Sequence, residues 1–307
     1  MNDDLTILKP VLKWVGGKTQ IIHEVMRAFP TEITDYHEPF IGGGSVLLAL
    51  LSNVRMGKIT VTGSIYASDL NDKLVSMYEN IRSDCGAVIE HLREIANAFA
   101  SCQGTTVRRR PETLAEATTS RESYYYWTRS IYNKMTPEER RSPKGSATLI
   151  FLNKTCFRGI YREGPGGFNV PFGHYKNPAI YDPDHLLVVS DLIRGVVFRH
   201  ASFADSLADV RPGSFVYMDP PYAPASATSF VGYTDAGFAE KDHKNLFELC
   251  DALSTNGISL VMSNADVPLV RTNFPTDRYM TTVVSCRRAI NAKNPASRAN
   301  EVIVASI

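Results

Sequence analysis

The chain has 307 residues, 44% hydrophobic and 21% charged, with 33 Lys and Arg against 32 Asp and Glu for a net charge of +1. That is the composition of an ordinary globular protein with length for one large domain or two, and it argues against a disordered or collagenous chain. No apolar run approaches a membrane span, and the start "MNDDLTILKP" has neither a basic n-region nor an apolar h-region, so an intracellular location without a membrane partner is expected. The five cysteines (Cys85, Cys102, Cys156, Cys250, Cys286) form no CxxC pair and no His stands at metal-ligand spacing. Neither a disulfide framework nor a metal site is expected.

In chain order, the first predicted strand is "DYHEPF" at 35–40, followed by a Gly-rich turn and the apolar helix of "IGGGSVLLALL". A second strand, "SIYASD", follows at 64–69. From about 72 to 190 the pattern changes: "DKLVSMYENI" reads as helix, 104–123 is polar, "YYYWTRSIY" is aromatic, and 154–183 is rich in Gly, Pro and Arg. This stretch reads as a module inserted into a sheet domain. Strands resume with "SFVYMD" at 214–219, "ISLVMSN" at 258–264 and "EVIVASI" at 301–307. Between the first two of these, 238–257 carries Leu246, Leu249 and Leu253 at helical spacing and closes on Gly257, which makes a β-helix-β unit. The strands are apolar on both sides of their alternation, as in an α/β sheet covered on two faces.

Two turns carry the chemistry. In "YHEPFIGGGS" a strand runs through Pro39 and Phe40 into Gly42, Gly43 and Gly44 and then a helix. Glycines admit a close ligand, and the open N–H groups of the helix start favour its polar parts. Alone, this is also an ordinary βα turn. Asp69, ending the next strand, sits where Rossmann-like sites bond ribose hydroxyls, and the two features together point to an adenosine-containing cofactor. The dinucleotide fingerprint is not met, since GxGxxG needs a glycine where Leu47 stands.

The second turn is "DPPY" at 219–222. Asp219 closes its strand, at the edge where open α/β sheets place ligands. Pro220 and Pro221 fix a rigid loop whose carbonyls stay free to accept, and Tyr222 offers a flat face. A carboxylate, a carbonyl and a ring suit a planar amine. A Pro-Pro turn after a strand is also common without any such role, and it is the companion site that favours the functional reading.

These motifs resemble the amino-methyltransferases that use S-adenosylmethionine, and more closely the α-group DNA adenine N6-methyltransferases of the Dam family. The order of cofactor loop, recognition module and DPPY is that group's order. Further likeness lies in "LKWVGGKTQ" at 12–20, "FLNKTCFRGIYREGPGGFNVPFGHYKNP" at 151–178, "DPPYAPASATSFVGY" at 219–233 and "LVMSNAD" at 260–266, so it covers almost the whole chain. The resemblance implies a Rossmann-like methyltransferase sheet, residues 1–71 and 190–307, with an inserted helical and β-hairpin target recognition domain at 72–189. It implies that Trp14, Lys18, Asp69 and Asp219 contact S-adenosylmethionine, with Phe40 and Gly42, Gly43 and Gly44 wrapping it and Phe203 packing on it. By composition alone, Trp14 would be core and "VGGK" a turn with a surface lysine; the phosphate-loop spacing GxxxxGK[ST] is absent.

Adenine N6 is a poor nucleophile because its lone pair is delocalised into the ring. Hydrogen bonds from the amine to Asp219 and the Pro220 carbonyl would favour a tetrahedral nitrogen, and a base buried in duplex must be flipped out, with Tyr222 replacing its lost stacking. Asp219→Ala is expected to abolish methylation with folding intact, since the residue ends a strand. For the DNA, the resemblance points to Lys13, Arg158, Ile160, Arg162, Pro171 and Tyr175 as contacts to bases or the adjoining backbone. Arginine forks suit guanine, while Ile160 and Pro171 suit a thymine methyl. The implied target is a short palindrome with central A·T pairs, GATC or CATG; many relatives read "FNGL" where this chain has "FRGI", and Arg158 could move the outer-base preference or only touch phosphate. Basic clusters at Arg108–Arg110, at Arg140, Arg141 and Lys144, and at Arg287, Arg288, Lys293 and Arg298 are further phosphate candidates or simply solvated faces. Duplex DNA is the expected partner, with a cognate restriction endonuclease on the same site and a monomer or weak dimer as further expectations. A methyltransferase of an RNA base or protein glutamine, or a silent DNA-binding protein, are the alternatives.

Overall fold

The apolar runs assemble into one seven-stranded sheet in a computed structural model that describes residues 7–224, 238–287 and 298–307. Its strands are β1 (Tyr36–Glu38), β2 (Ile65–Asp69), β3 (Val196–His200), β4 (Phe215–Met218), β5 (Ser259–Ala265), β6 (Tyr279–Arg287) and β7 (Arg298–Ser306). Their order across the sheet is β3-β2-β1-β4-β5-β7-β6. Strands β1 to β5 pair in parallel, and β7 runs antiparallel to both β5 and β6. Strand order therefore reverses between β1 and β4, which is the switch point of a Rossmann-like sheet.

Tyr36 of β1 lies opposite Ile65 on one side and Phe215 on the other, and all four residues of β4 are buried. Covered on both faces, β4 has no room for alternation, hence its unbroken apolar run. The helix Glu240–Thr255 lays Leu246, Phe247, Cys250 and Leu253 into a core with Val216, Met218, Leu260, Met262, Val302 and Val304. It stops two residues before Gly257, whose φ of 74° is the left-handed conformation that ends helices. The helix Ser45–Arg55 is buried along Val46 to Leu51.

Two strands of the seven-stranded sheet escape the sequence reading, β3 and β6, and both are edges. Val197 is exposed on β3, as are Met280 and Val283 on β6, so neither carries the continuous apolar signal of a covered strand.

Contacts divide the chain into two units. The first holds the chain up to Leu8, Lys18–Leu70 and Gly195–Ile307; the second holds Lys9–Gly17 and Asn71–Arg194. The sequence reading keeps Lys9–Gly17 with the sheet. In the structure this segment joins the second unit because Asn153 clasps it, its amide accepting the Lys13 N–H and donating to the Lys13 carbonyl, each at 2.8 Å. The second unit is mainly helical, with helices Asp72–Ser83, Cys85–Ser101, Arg121–Lys134, Pro143–Thr155 and Pro183–Leu192 and a hairpin of Glu163–Gly164 with Gly167–Phe168. Each of these helices begins with a side chain that accepts a backbone N–H: Asn71, Asp84, Ser120, Ser142 and Asp182. The helix Pro143–Thr155 is buried from Gly145 through Asn153, which makes it the axis of this unit.

Candidate active site

The first unit gathers polar groups at the carboxyl ends of β1, β2 and β4. Beyond β1 the chain turns through Gly42 (φ 48°) and Gly44 (φ 71°), left-handed conformations that a side chain would strain. Gly44 is the N-cap of the helix Ser45–Arg55 and gives it no side-chain cap. Glu38 fills that role from the end of β1: its carboxyl accepts the Leu47 N–H and, at 2.7 Å, the Tyr36 hydroxyl. Fully covered there, Glu38 is pushed up to about 8 by burial. On the neighbouring strand Asp69 accepts the Gly42 N–H at 3.0 Å and so ties the turn to β2. Phe40 stacks on Phe203 with centroids 5.6 Å apart, and Phe238 meets both rings.

These groups fit an adenosine-containing ligand. They supply an aromatic face, a carboxylate at a strand end for hydroxyls, and a turn without side chains leading to a helix start.

At the end of β4, Asp219 accepts from the Lys18 ammonium at 2.6 Å, with Lys18 only 2% exposed and Asp219 19%. Lys18 is itself fixed by its N–H, which donates to Ser45 Oγ at 3.0 Å, and its ammonium stands 4.9 Å from the Tyr222 ring centroid. Burial pushes Asp219 up to about 6, against the pull of Lys18. Pro220 is buried and Pro221 half-buried. The Tyr222 hydroxyl donates to Glu301 of β7 at 2.7 Å, and the Ala223 N–H donates to Asn264 of β5 at 2.9 Å.

The structure thus brings Lys18, Phe40, the Gly42–Gly44 turn, Asp69, Phe203, Asp219 and Tyr222 into one unit. Trp14 lies in the second unit, its ring stacked on Tyr161 at 5.3 Å. Lys18 is no surface lysine, and Asp219 is more than a strand end, because it is the partner of a buried cation. The expectation that Asp219→Ala leaves folding intact meets an ion pair that the sequence does not reveal, since the substitution removes the partner of Lys18. Residues 225–233 of the segment after DPPY lie outside the described residues.

The sequence reading misses Glu38, Asn264 and Glu301. An acidic residue at the end of β1 could have been flagged by the logic that flagged Asp69. No local signal marks Glu301, whose contact spans 79 residues of chain.

All six residues expected at DNA fall in the second unit. Lys13 stands over the Tyr175 ring at 4.2 Å, and Arg162 donates to Asn169 at 2.6 Å. Arg158 is exposed, has φ 58° and lies 5.2 Å from the ring of exposed Phe157. Pro171 is exposed, its carbonyl taking the Phe157 N–H at 2.8 Å, and Ile160 is half-buried. Among the basic clusters, Arg140 is committed to its own unit, donating to the Tyr132 and Asn133 carbonyls at 3.2 and 2.7 Å. Arg108 and Arg109 pair with Glu116 and Glu122, and Arg141 with Asp72 and Glu138. Arg288 and Lys293 lie outside the described residues, as does the side chain of Arg287, while Arg298 is exposed. No helix among the described residues is long and apolar enough to cross a membrane.

The chain is similar to known proteins over most of its length. The Type II methyltransferase M.MjaIII of Methanocaldococcus jannaschii is 37% identical over 267 residues, covering 84% of each chain. The DNA adenine methylase of Escherichia coli K12 is 31% identical, covering 92% of this chain and 88% of its own, and the retron Ec67 DNA adenine methylase of Escherichia coli is 30% identical over 97% and 92%. The family model for D12 class N6 adenine-specific DNA methyltransferase matches residues 14–285, and with a match of that extent the chain belongs to that family and is a DNA adenine methyltransferase.

Proposed function

We propose that the chain methylates adenine N6 within one short palindromic duplex site with central A·T pairs, of the GATC or CATG kind, after flipping the base into the Asp219 corner. Membership in the family implies DNA as substrate and S-adenosylmethionine as methyl donor. S-adenosylmethionine, when bound, supplies an electrophilic sulfonium methyl. Asp69 would hold its ribose, Phe40 and Phe203 its ring, and the Gly42–Gly44 turn and Lys18 its remaining polar parts; for Trp14 the resemblance alone is the support.

The observation that carries this reading is the Lys18 ammonium, 2.6 Å from Asp219 and above the Tyr222 ring. The Lys18 ammonium takes Asp219 Oδ2, and the other oxygen of the same carboxylate is the one proposed to accept from the adenine amine. Asp219 accepts one amine hydrogen, and the Pro220 carbonyl accepts the other. Both bonds draw the nitrogen toward tetrahedral geometry and free its lone pair. Tyr222 stacks on the extruded base and offsets part of the few kcal/mol of lost pairing and stacking. Exclusion of water by the covered Asp219 and Lys18 keeps these bonds strong.

Residues 72–189 would read the DNA, with Lys13 joining them: Arg158 and Arg162 through guanidinium forks, Ile160 and Pro171 against methyl groups, and Lys13 and Tyr175 at the backbone. The fourfold set of duplexes carrying GATC, CATG, GTAC or CTAG tests this. Methylation of a single palindrome of the first two is expected; equal methylation of all four would remove the specificity reading.

A further inference from the structure

We propose that Glu301 is a positioning residue for Tyr222, fixing the place at which the ring is held for the target base to stack on it; this rests on the reading that Tyr222 receives the flipped adenine. The Tyr222 hydroxyl donates to Glu301 Oε2 at 2.7 Å. The backbone of Glu301 is itself immobilised on both sides, lying opposite Ala265 of β5 and Val284 of β6.

The next loop residue is tied in the same way. Ala223 donates its N–H to Asn264 Oδ1 at 2.9 Å, and the same oxygen takes the Ala265 N–H at 2.8 Å, which fixes the facing of the amide. Asn264 lies opposite Val302, the residue after Glu301. Two consecutive loop residues are therefore pinned to adjacent positions of two neighbouring strands, while Pro220 and Pro221 restrict the chain before them.

The hydroxyl oxygen lies on the axis of the second side-chain bond, so an anchor there restrains rotation about the first bond and with it the place of the ring. Phenylalanine would present the same face without the anchor. A half-buried phenol also needs a partner for stability alone, and that role predicts losses in melting temperature, not in the methyl-transfer step.

The test measures single-turnover methylation, S-adenosylmethionine affinity, melting temperature and the fluorescence of 2-aminopurine at the target position, for Glu301→Ala, Glu301→Gln, Tyr222→Phe and the Glu301→Ala/Tyr222→Phe pair. Glu301→Ala and Tyr222→Phe are each expected to slow transfer about 10- to 100-fold with cofactor affinity unchanged. The pair should be no slower than either single variant, since both break one contact. Glu301→Gln, which keeps an acceptor oxygen, should restore most of the rate and of the 2-aminopurine signal. A normal rate in Glu301→Ala, additive losses in the pair, or losses confined to melting temperature would overturn the proposal. Tyr222→Ala separates the two levels: normal turnover there would end the stacking reading itself, whereas an inactive Tyr222→Ala beside a normal Glu301→Ala would end only the positioning role.

Discussion

The two units hold their candidate functional side chains in opposite ways. In the first, the chemistry is fastened: Lys18 to Asp219, Gly42 to Asp69, Tyr36 to Glu38 and Tyr222 to Glu301, each over 2.6–3.0 Å. In the second, Lys13, Arg158, Arg162 and Pro171 are exposed, with Lys13 and Arg158 near rings and Arg162 donating to Asn169. Aligning a nitrogen for displacement rewards a geometry set before substrate arrives. Reading a groove rewards long side chains that settle against the bases they meet. The comparison teaches that substitutions in the first unit should change the rate at every site, and substitutions in the second should change which site is chosen.

The largest break expected is Asp219→Asn. It keeps an acceptor for Lys18 but loses the charge proposed to hold the amine, and single-turnover methylation should fall by about 10²–10³-fold or more. Asp219→Ala should add a stability loss of roughly 3 kcal/mol in chemical denaturation, because it strips the carboxylate from a buried ammonium. A fast Asp219→Asn would show that the fastened unit is not the chemical one.

Next in size is Asp69→Ala, with cofactor affinity weakened by roughly 1.5–3 kcal/mol in a binding titration as a charged hydrogen-bond partner is lost. Unchanged affinity would leave Asp69 as a brace for Gly42 alone.

Arg158→Asn sharpens the other side of the comparison. A base contact is worth about 1–3 kcal/mol of discrimination at one position, so the ranking of duplex sites should change. A uniform loss across all sequences would make Arg158 a phosphate contact.

A last break concerns stability against pH. Glu38 is raised from an ordinary 4.5 to about 8 in the folded chain. Its contribution is therefore complete below pH 4.5, declines as the unfolded carboxylate ionises, and is gone above pH 8. Glu38→Gln should flatten that decline in melts across this window; an unaltered slope would assign the pH dependence to other groups.

Much of this contrast was legible in the residues, and the rest was not for definable reasons. β4, β5 and β7 show in the sequence because strands covered on two faces carry apolar runs, while β1 (Tyr36–Glu38) and β2 (Ile65–Asp69) are marked by the turn and the acidic residue that end them. β3 and β6, at the edges, do not. Asp219 and Asp69 show because strand ends in such sheets face ligands. Lys18 reads as a surface residue because nothing in "VGGK" reveals that Asp219, 201 residues away, accepts its charge. Glu301 is hidden likewise, in a strand whose other residues read simply as core. Arg140 errs in the opposite direction, since a basic cluster looks like a phosphate site until its carbonyl partners are seen.

One measurement tests the division most directly: N6-methyladenine mapped across the same mixed-sequence duplex DNA after treatment with the wild-type chain, Asp219→Asn and Arg158→Asn. The account predicts one short palindrome for the wild type, the same palindrome at far lower yield for Asp219→Asn, and a changed distribution of sites for Arg158→Asn. Undiminished yield with Asp219→Asn, or a change of site caused by it, would contradict the account.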